Sequence, residues 1–208
     1  MVSIHRIINT PVSSNCFLII REKTNECIIV DPGSYEKNDC LYTFIGENNL
    51  KICAVVLTHE HFDHIAGVNN LILNFKFDLI CSTEGAAGIK NSRKNLSAYN
   101  DQLAPIEITI SPKIVHDRQE FEFADTRLIF IYTPGHSPGS MCFSIDNYFF
   151  SGDTILLNHK TRLNLPGSNR KLFFESLEKI KSIIKSGMQI FPGHGDCFEF
   201  DSRFLNTN

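Results

Sequence analysis

The stretch THEHFDHIAG at positions 58–67 places His59, His61, Asp63 and His64 within six consecutive positions. An apolar run, CAVVL, precedes it, and a helix-like pattern follows. Imidazole nitrogens with a few carboxylates suit zinc, iron or manganese. Clustered thiolates are absent: the seven cysteines include no C-x-x-C pair, which argues against a Cys-rich structural zinc site. The rest of the chain must therefore be read for further nitrogen and oxygen donors.

Such donors recur where apolar strands end. PGH occurs at 134–136 after LIFIYT and again at 192–194 after MQIF, presenting His136 and His194. NYFF runs into SGDT and presents Asp153, while CIIV runs into DPG and presents Asp31. A Pro-Gly turn fixes the chain direction, and its glycine lets backbones approach. Five of the eight histidines occupy these strand-end turns, leaving His5, His116 and His159 elsewhere. His59, His61, Asp63, His64, His136, Asp153 and His194 make seven donors, too many for one tetrahedral ion. Two ions sharing one carboxylate absorb all seven and leave room for water, the arrangement of a two-metal hydrolytic site.

Length and charge limit the alternatives. A chain of 208 residues suits one domain with a sizeable core. A net charge of -3 gives no global attraction to phosphate backbones or anionic lipid, so the expected partner is a small-molecule substrate, with no nucleic acid and no membrane. His5 and Arg6 interrupt the N-terminus where a signal peptide needs an apolar stretch, and no apolar run reaches membrane-spanning length. The expectation is a cytoplasmic protein whose cysteines are reduced and act as small hydrophobes within strands.

Strand-like segments fall at 2–8, 15–21, 26–30, 52–57, 78–81, 127–132, 141–145, 147–150 and 188–191. Ile65, Val68, Leu71, Ile72 and Phe75 predict a helix after His64. Asn169 as cap, a stripe of Phe173, Leu177, Ile180 and Ile184, and Gly187 as stop predict a second; a third is expected from Ser34 towards Ile45. Strands in runs with few helices among them favour an α+β layered fold. Residues 82–116, with Gly85, Gly88, Pro105 and Pro112, read as a long excursion that either covers a site or decorates the surface.

THEHFDHIAG, TPGHSPGS, SGDT and FPGHG, in that order, resemble the metallo-β-lactamase superfamily, and most of all its short bacterial glyoxalase II-like (hydroxyacylglutathione hydrolase-like) members. The similarity runs from NCFLI and VDPG through GDTILLNHKTRLNLPGSN to PGHG. It implies a four-layer αβ/βα sandwich with the metal site at one edge between two β-sheets. It also implies that His59, His61 and His136 hold one metal, that Asp63, His64 and His194 hold a second, and that Asp153 bridges them. The ions would be zinc, with iron or manganese as alternatives, and a bridging hydroxide would be the nucleophile of a thioester hydrolase. Asp31 would support the site from beneath or simply form a turn. Thr58, Thr133 and Ser137 would orient ligands or bond to backbone.

The chain departs from the short hydrolases' G-R-T-D-L-P-G-G pattern, reading TRLNLPGS with Thr161, Leu163 and Asn164 in place of Gly, Thr and Asp. Arg162, with Lys160, is the candidate partner of a substrate carboxylate, the alternative being a solvated surface role. Larger glyoxalase II enzymes add a C-terminal helical substrate domain, and only 14 residues follow His194, so a single domain over 1–208 is expected. Two other readings stand beside thioester hydrolysis. One is a persulfide dioxygenase with a single iron on His59, His136 and Asp153; the other is lactone or phosphodiester hydrolysis on the same two metals. His159 is either a proton shuttle or an exposed histidine, and His5 and His116 are expected to be structural or surface residues.

Overall fold

The computed structural model describes residues 2–34, 40–101, 103–123 and 125–201. In the first sheet, β1 (Val2–Ile8), β2 (Asn15–Arg21), β3 (Glu26–Val30), β4 (Lys51–Val56), β5 (Asp78–Cys81) and β6 (Lys113–Ile114) lie in chain order. β1 to β3 form an antiparallel meander, and β3 to β6 pair in parallel. Parallel neighbours require crossovers. α1 (Cys40–Glu47) supplies the first, α2 (Phe62–Ile65) with α3 (Val68–Asn74) the second, and α4 (Thr83–Gly88) part of the third.

The second sheet also keeps chain order, with β7 (Glu120–Phe123), β8 (Thr126–Tyr132), β9 (Met141–Ile145), β10 (Tyr148–Gly152), β11 (Gln189–Pro192) and β12 (Phe198–Glu199). Only its β10–β11 pair is parallel among these pairings, and α5 (Arg170–Lys181) makes that crossover.

Strand period decides the layering. Along β2, Cys16 and Leu18 face α1 to α4, whereas Phe17 and Ile19 face the other sheet. The inter-sheet core joins Phe17, Ile28 and Val56 to Phe130, Phe143 and Phe150. On the far side, Ile131, Phe149 and Ile190 meet Ile180 and Ile184, the apolar stripe in and after α5. Two sheets with helices outside each give the α+β, four-layer αβ/βα sandwich.

Three expectations change in detail. The helix after His64 breaks at Gly67, whose N–H donates to the Pro32 carbonyl at 2.8 Å; a Cβ there would lie 2.3 Å from the Ser34 carbonyl oxygen. α5 stops at Lys181, where the Ser182 hydroxyl donates to the Lys179 carbonyl at 2.7 Å, well before Gly187. The excursion at 82–116 contains α4, a 3-10 turn at Ser97–Tyr99 and β6. The helix expected from Ser34 falls partly on 35–39, outside the described residues, and α1 begins at Cys40. Cys16, Cys27, Cys81 and Cys142 are buried as expected, but Cys53 and Cys40 are exposed. Among the described residues, no helix is long and apolar enough to cross a membrane.

Candidate metal centre

The strands deliver the donors. β3 ends one residue before Asp31, β4 runs into Thr58 and His59, β8 leads to the loop carrying His136, and β10 and β11 end just before Asp153 and His194. His61 occupies the N-cap position of α2 in extended conformation, and Asp63 and His64 follow in its first turn, with His64 Nε2 3.6 Å from Asp63 Oδ2. The glycines of both PGH turns are sterically required. Gly135 has φ +146 and sits under α5, where a Cβ would lie 2.3 Å from the Phe173 Cα. A Cβ on Gly193 would lie 2.2 Å from Asp153 Oδ1.

Two groups of donors converge from these loops. His59, His61 and His136 form one, with ligand atoms within 4.8 Å of one another, and Asp63, His64 and His194 form the other. His136 Nε2 lies 2.9 Å from His61 Nδ1, and His194 Nε2 lies 3.2 Å from Asp63 Oδ2. Asp153 contacts both groups: its Oδ2 is 3.4 Å from His136 Nε2 and 3.6 Å from His194 Nε2, and its Oδ1 is 3.7 Å from His64 Nε2. All seven residues singled out from the sequence thus meet at one edge between the sheets. His59 Nε2, His61 Nε2 and Asp153 Oδ1 are buried with no hydrogen-bond partner. Buried polar atoms are normally satisfied, so orphaned nitrogen and oxygen atoms on residues that converge here fit a divalent cation.

Asp31, His59 and His64 also lie close enough to make a third donor group, but the Asp31 carboxylate is already engaged. Its Oδ1 accepts from the Thr58 N–H at 2.7 Å, and its Oδ2 accepts from the Thr58 hydroxyl at 2.6 Å and from His64 Nδ1 at 3.0 Å. That last bond leaves His64 Nε2 facing the centre, so Asp31 fixes a tautomer beneath the site. His136 Nδ1 donates to the Arg162 carbonyl at 3.0 Å and His194 Nδ1 to the Ser13 carbonyl at 2.9 Å, so both likewise aim Nε2 inward.

Burial and charge divide the histidines. Burial, with neighbouring imidazoles, pushes His59 well below its usual range and His61 down to about 3, so both present free lone pairs. For His64 burial acts downward too, but Asp63, Asp31 and Asp153 outweigh it and raise the group to about 10. Burial would raise the Asp63 carboxyl, but His64 and His194 hold it well below the ordinary carboxylate range. Carboxylates therefore draw positive charge into the second group even without an ion.

A cavity of about 540 Å³ opens over both groups, walled by Phe62, Leu96, Leu156, His159, Arg162 and Leu165 among others. Lys160 also lines it. Lys160 and Arg162 are exposed and, among the described residues, have no carboxylate partner. His159 is exposed at the rim, His5 stacks on Phe44 at 3.8 Å, and His116 is exposed away from the site. Thr161, one of the departures from the family pattern, donates its hydroxyl to the Asp153 carbonyl at 2.7 Å.

Glu60, Asn15 and Ser14 were not singled out from the sequence. Glu60, buried between His59 and His61, accepts from the Ser137 hydroxyl at 2.8 Å and from the Gly139 N–H at 3.2 Å. It thereby ties the His59–His61 segment to the loop that carries His136, and Ser137 acts on this carboxylate. Thr133 bonds to Thr154 at 3.3 Å across the loops. Asn15 Nδ2 donates to the carbonyls of Pro192 and Gly195, each at 2.8 Å, bracketing His194, and Ser14 donates to the Asp63 carbonyl at 2.5 Å. The polar SSN placed ahead of an apolar strand was the available signal for these last two.

Residues 9–187 match the profile of the Metallo-beta-lactamase superfamily. The chain is 29% identical to a probable polyketide biosynthesis zinc-dependent hydrolase, PksB, of Bacillus subtilis, over 86% of this chain and 72% of that one. It is 25% identical to a hydroxyacylglutathione hydrolase of Glaesserella parasuis, over 88% of this chain and 67% of the relative. Among solved structures, the B3 metallo-beta-lactamase BLEG-1 superimposes with a TM-score of 0.86 at 24% identity, covering 95% of this chain and 94% of that chain.

Proposed function

Because the chain belongs to the metallo-β-lactamase superfamily, we propose that it is a dinuclear metal-dependent hydrolase of small thioesters, with zinc as its ion. The observation that carries this reading is the meeting of two three-donor groups on either side of Asp153. A persulfide dioxygenase with one iron on His59, His136 and Asp153 gives no role to Asp63, His64 and His194, which nevertheless converge in a second group beside it.

Divalent cations at such a site acidify water towards hydroxide near neutral pH and polarise a substrate carbonyl. The chain's own residues set the conditions for that chemistry. Neutral His59 and His61 offer unprotonated nitrogens, while Asp31, the Arg162 carbonyl and the Ser13 carbonyl hold the rings of His64, His136 and His194. Asp153 lays a negative charge between the groups and lowers their mutual repulsion when cations are present. Phe62, Leu156 and Leu165 would keep water from the reacting carbonyl, and Arg162, which lines the cavity, would pair its guanidinium with a substrate carboxylate. No general acid needs to be assigned, because a thiolate, with a parent pKa of about 8.5, leaves readily near neutral pH.

A panel of thioesters, lactones, phosphodiesters and a persulfide tests this reading on the metal-loaded protein. Thioesters are expected to be turned over best, with Arg162→Ala raising KM for anionic thioesters and leaving neutral ones nearly unchanged. Oxygen consumption with the persulfide, together with one iron per chain, would overturn it.

A further inference from the structure

Beside the metal-side cavity lies a second one of about 200 Å³, between the 154–163 loop and α5. Leu156, His159 and Lys160 line both, so the two spaces share a wall within reach of Asp153. The floor of the second is apolar: Ile155, Leu163, Phe173, Phe174 and Leu177. It is smaller than the roughly 300–1,000 Å³ of a typical ligand pocket. It therefore suits one arm of a molecule whose reacting end occupies the larger space.

Packing does not explain all of this surface. Phe173, Leu177 and Ile180 form the stripe by which α5 meets the sheet. Phe174 stands off that stripe and is 51% exposed, an aromatic side chain whose apolar area the fold itself leaves half uncovered. Lys160 and Arg170 flank the groove; among the described residues neither has a carboxylate partner, and no acidic side chain lines it. Arg162 adds a third cation of this kind on the adjoining wall. Lysine and arginine cover apolar surface with their stems while their heads attract anions.

From apolar floor, cationic rim and shared wall, we infer that this groove binds the apolar acyl arm of a substrate carried on an anionic thiol. Specificity for acyl length then resides in Leu163 and Phe174. The inference deepens the thioester reading above and rests on it.

The test uses the metal-loaded protein, straight-chain thioesters from acetyl to octanoyl on one anionic thiol, and calorimetric titration with acetate and octanoate. Turnover efficiency is expected to rise roughly fourfold for each methylene the groove covers, and octanoate to bind at least about tenfold more tightly than acetate. Phe174→Gln and Leu163→Gln, both at positions that are not fully buried, are expected to flatten both series. Flat series in the unaltered protein would overturn the inference, as would steep series that neither variant changes. If no thioester is turned over, the functional reading fails, and the octanoate titration alone still decides the groove.

Discussion

Glu60 sits between two histidines of the metal centre and faces away from it, receiving the Ser137 hydroxyl and the Gly139 N–H. A Cβ on Gly88 would lie 2.4 Å from the Glu60 Cγ, so the side chain packs directly on a position that only glycine can fill. Glu60→Ala leaves those donors unpaired and frees the loop of His136; metal affinity is expected to fall about 10- to 100-fold, as read by competition with a chromophoric chelator. Unchanged affinity would show that the loop is held without it. The histidines make a second prediction at this scale. In metal-free protein His61 is held down to about 3, below its ordinary 6.5, so acid favours the unfolded chain across that interval. His64 is raised to about 10, so its contribution is fully present below 6.5 and is lost as pH rises through 10. Calorimetric melting of the metal-free protein should therefore peak near neutrality and fall on both sides; a Tm still climbing at pH 9 would contradict the placement of His64 among carboxylates. The converging donors were legible because histidine and aspartate recur at strand ends. Glu60 was not, because no spacing rule says which of two adjacent side chains turns inward.

At the scale of elements, pattern succeeded where a face is apolar over several turns or a strand is buried on both sides. Asn169 caps α5 as its position predicts, its side-chain oxygen accepting from the Leu172 N–H at 3.1 Å. Asn169→Ala should cost about 1 kcal/mol in denaturant unfolding. Because α5 presses on Gly135 and the Ser176 hydroxyl donates to the Pro134 carbonyl at 2.8 Å, that loss also loosens the turn carrying His136. In the inter-sheet core, Phe143 stacks on Phe150 at 4.6 Å and is fully buried. Phe143→Ala should destabilise by about 3–5 kcal/mol, and a loss below 1 kcal/mol would mean that the sheets do not pack through this layer. β6 and β12 escaped the sequence reading because two residues carry no period, and β7, EFEF, alternates like any solvated stretch. The break at Gly67 was hidden as well, since the apolar repeat continues through it and only contact with Pro32 and Ser34 enforces it.

The whole molecule places the donors by bringing the ends of strands from two sheets to one edge. His59 follows β4 of the first sheet, whereas His136, Asp153 and His194 follow strands of the second, so neither sheet alone completes the centre. That pairing of sheets was legible from the order of the motifs and their family resemblance more than from periodicity, which indicated layers but not which strand ends meet. The smaller apolar groove was not legible at all, because it depends on how the 154–163 loop lies against α5. Two cations between the sheets would act as a clasp, and ligands that bind only the folded state raise stability by mass action. The most direct measurement is elemental analysis of protein purified without chelator, alongside Asp153→Ala. About two divalent ions per chain in the unaltered protein and a marked loss in the variant are the predicted result. One ion per chain in the unaltered protein, or full loading of the variant, would contradict the shared centre.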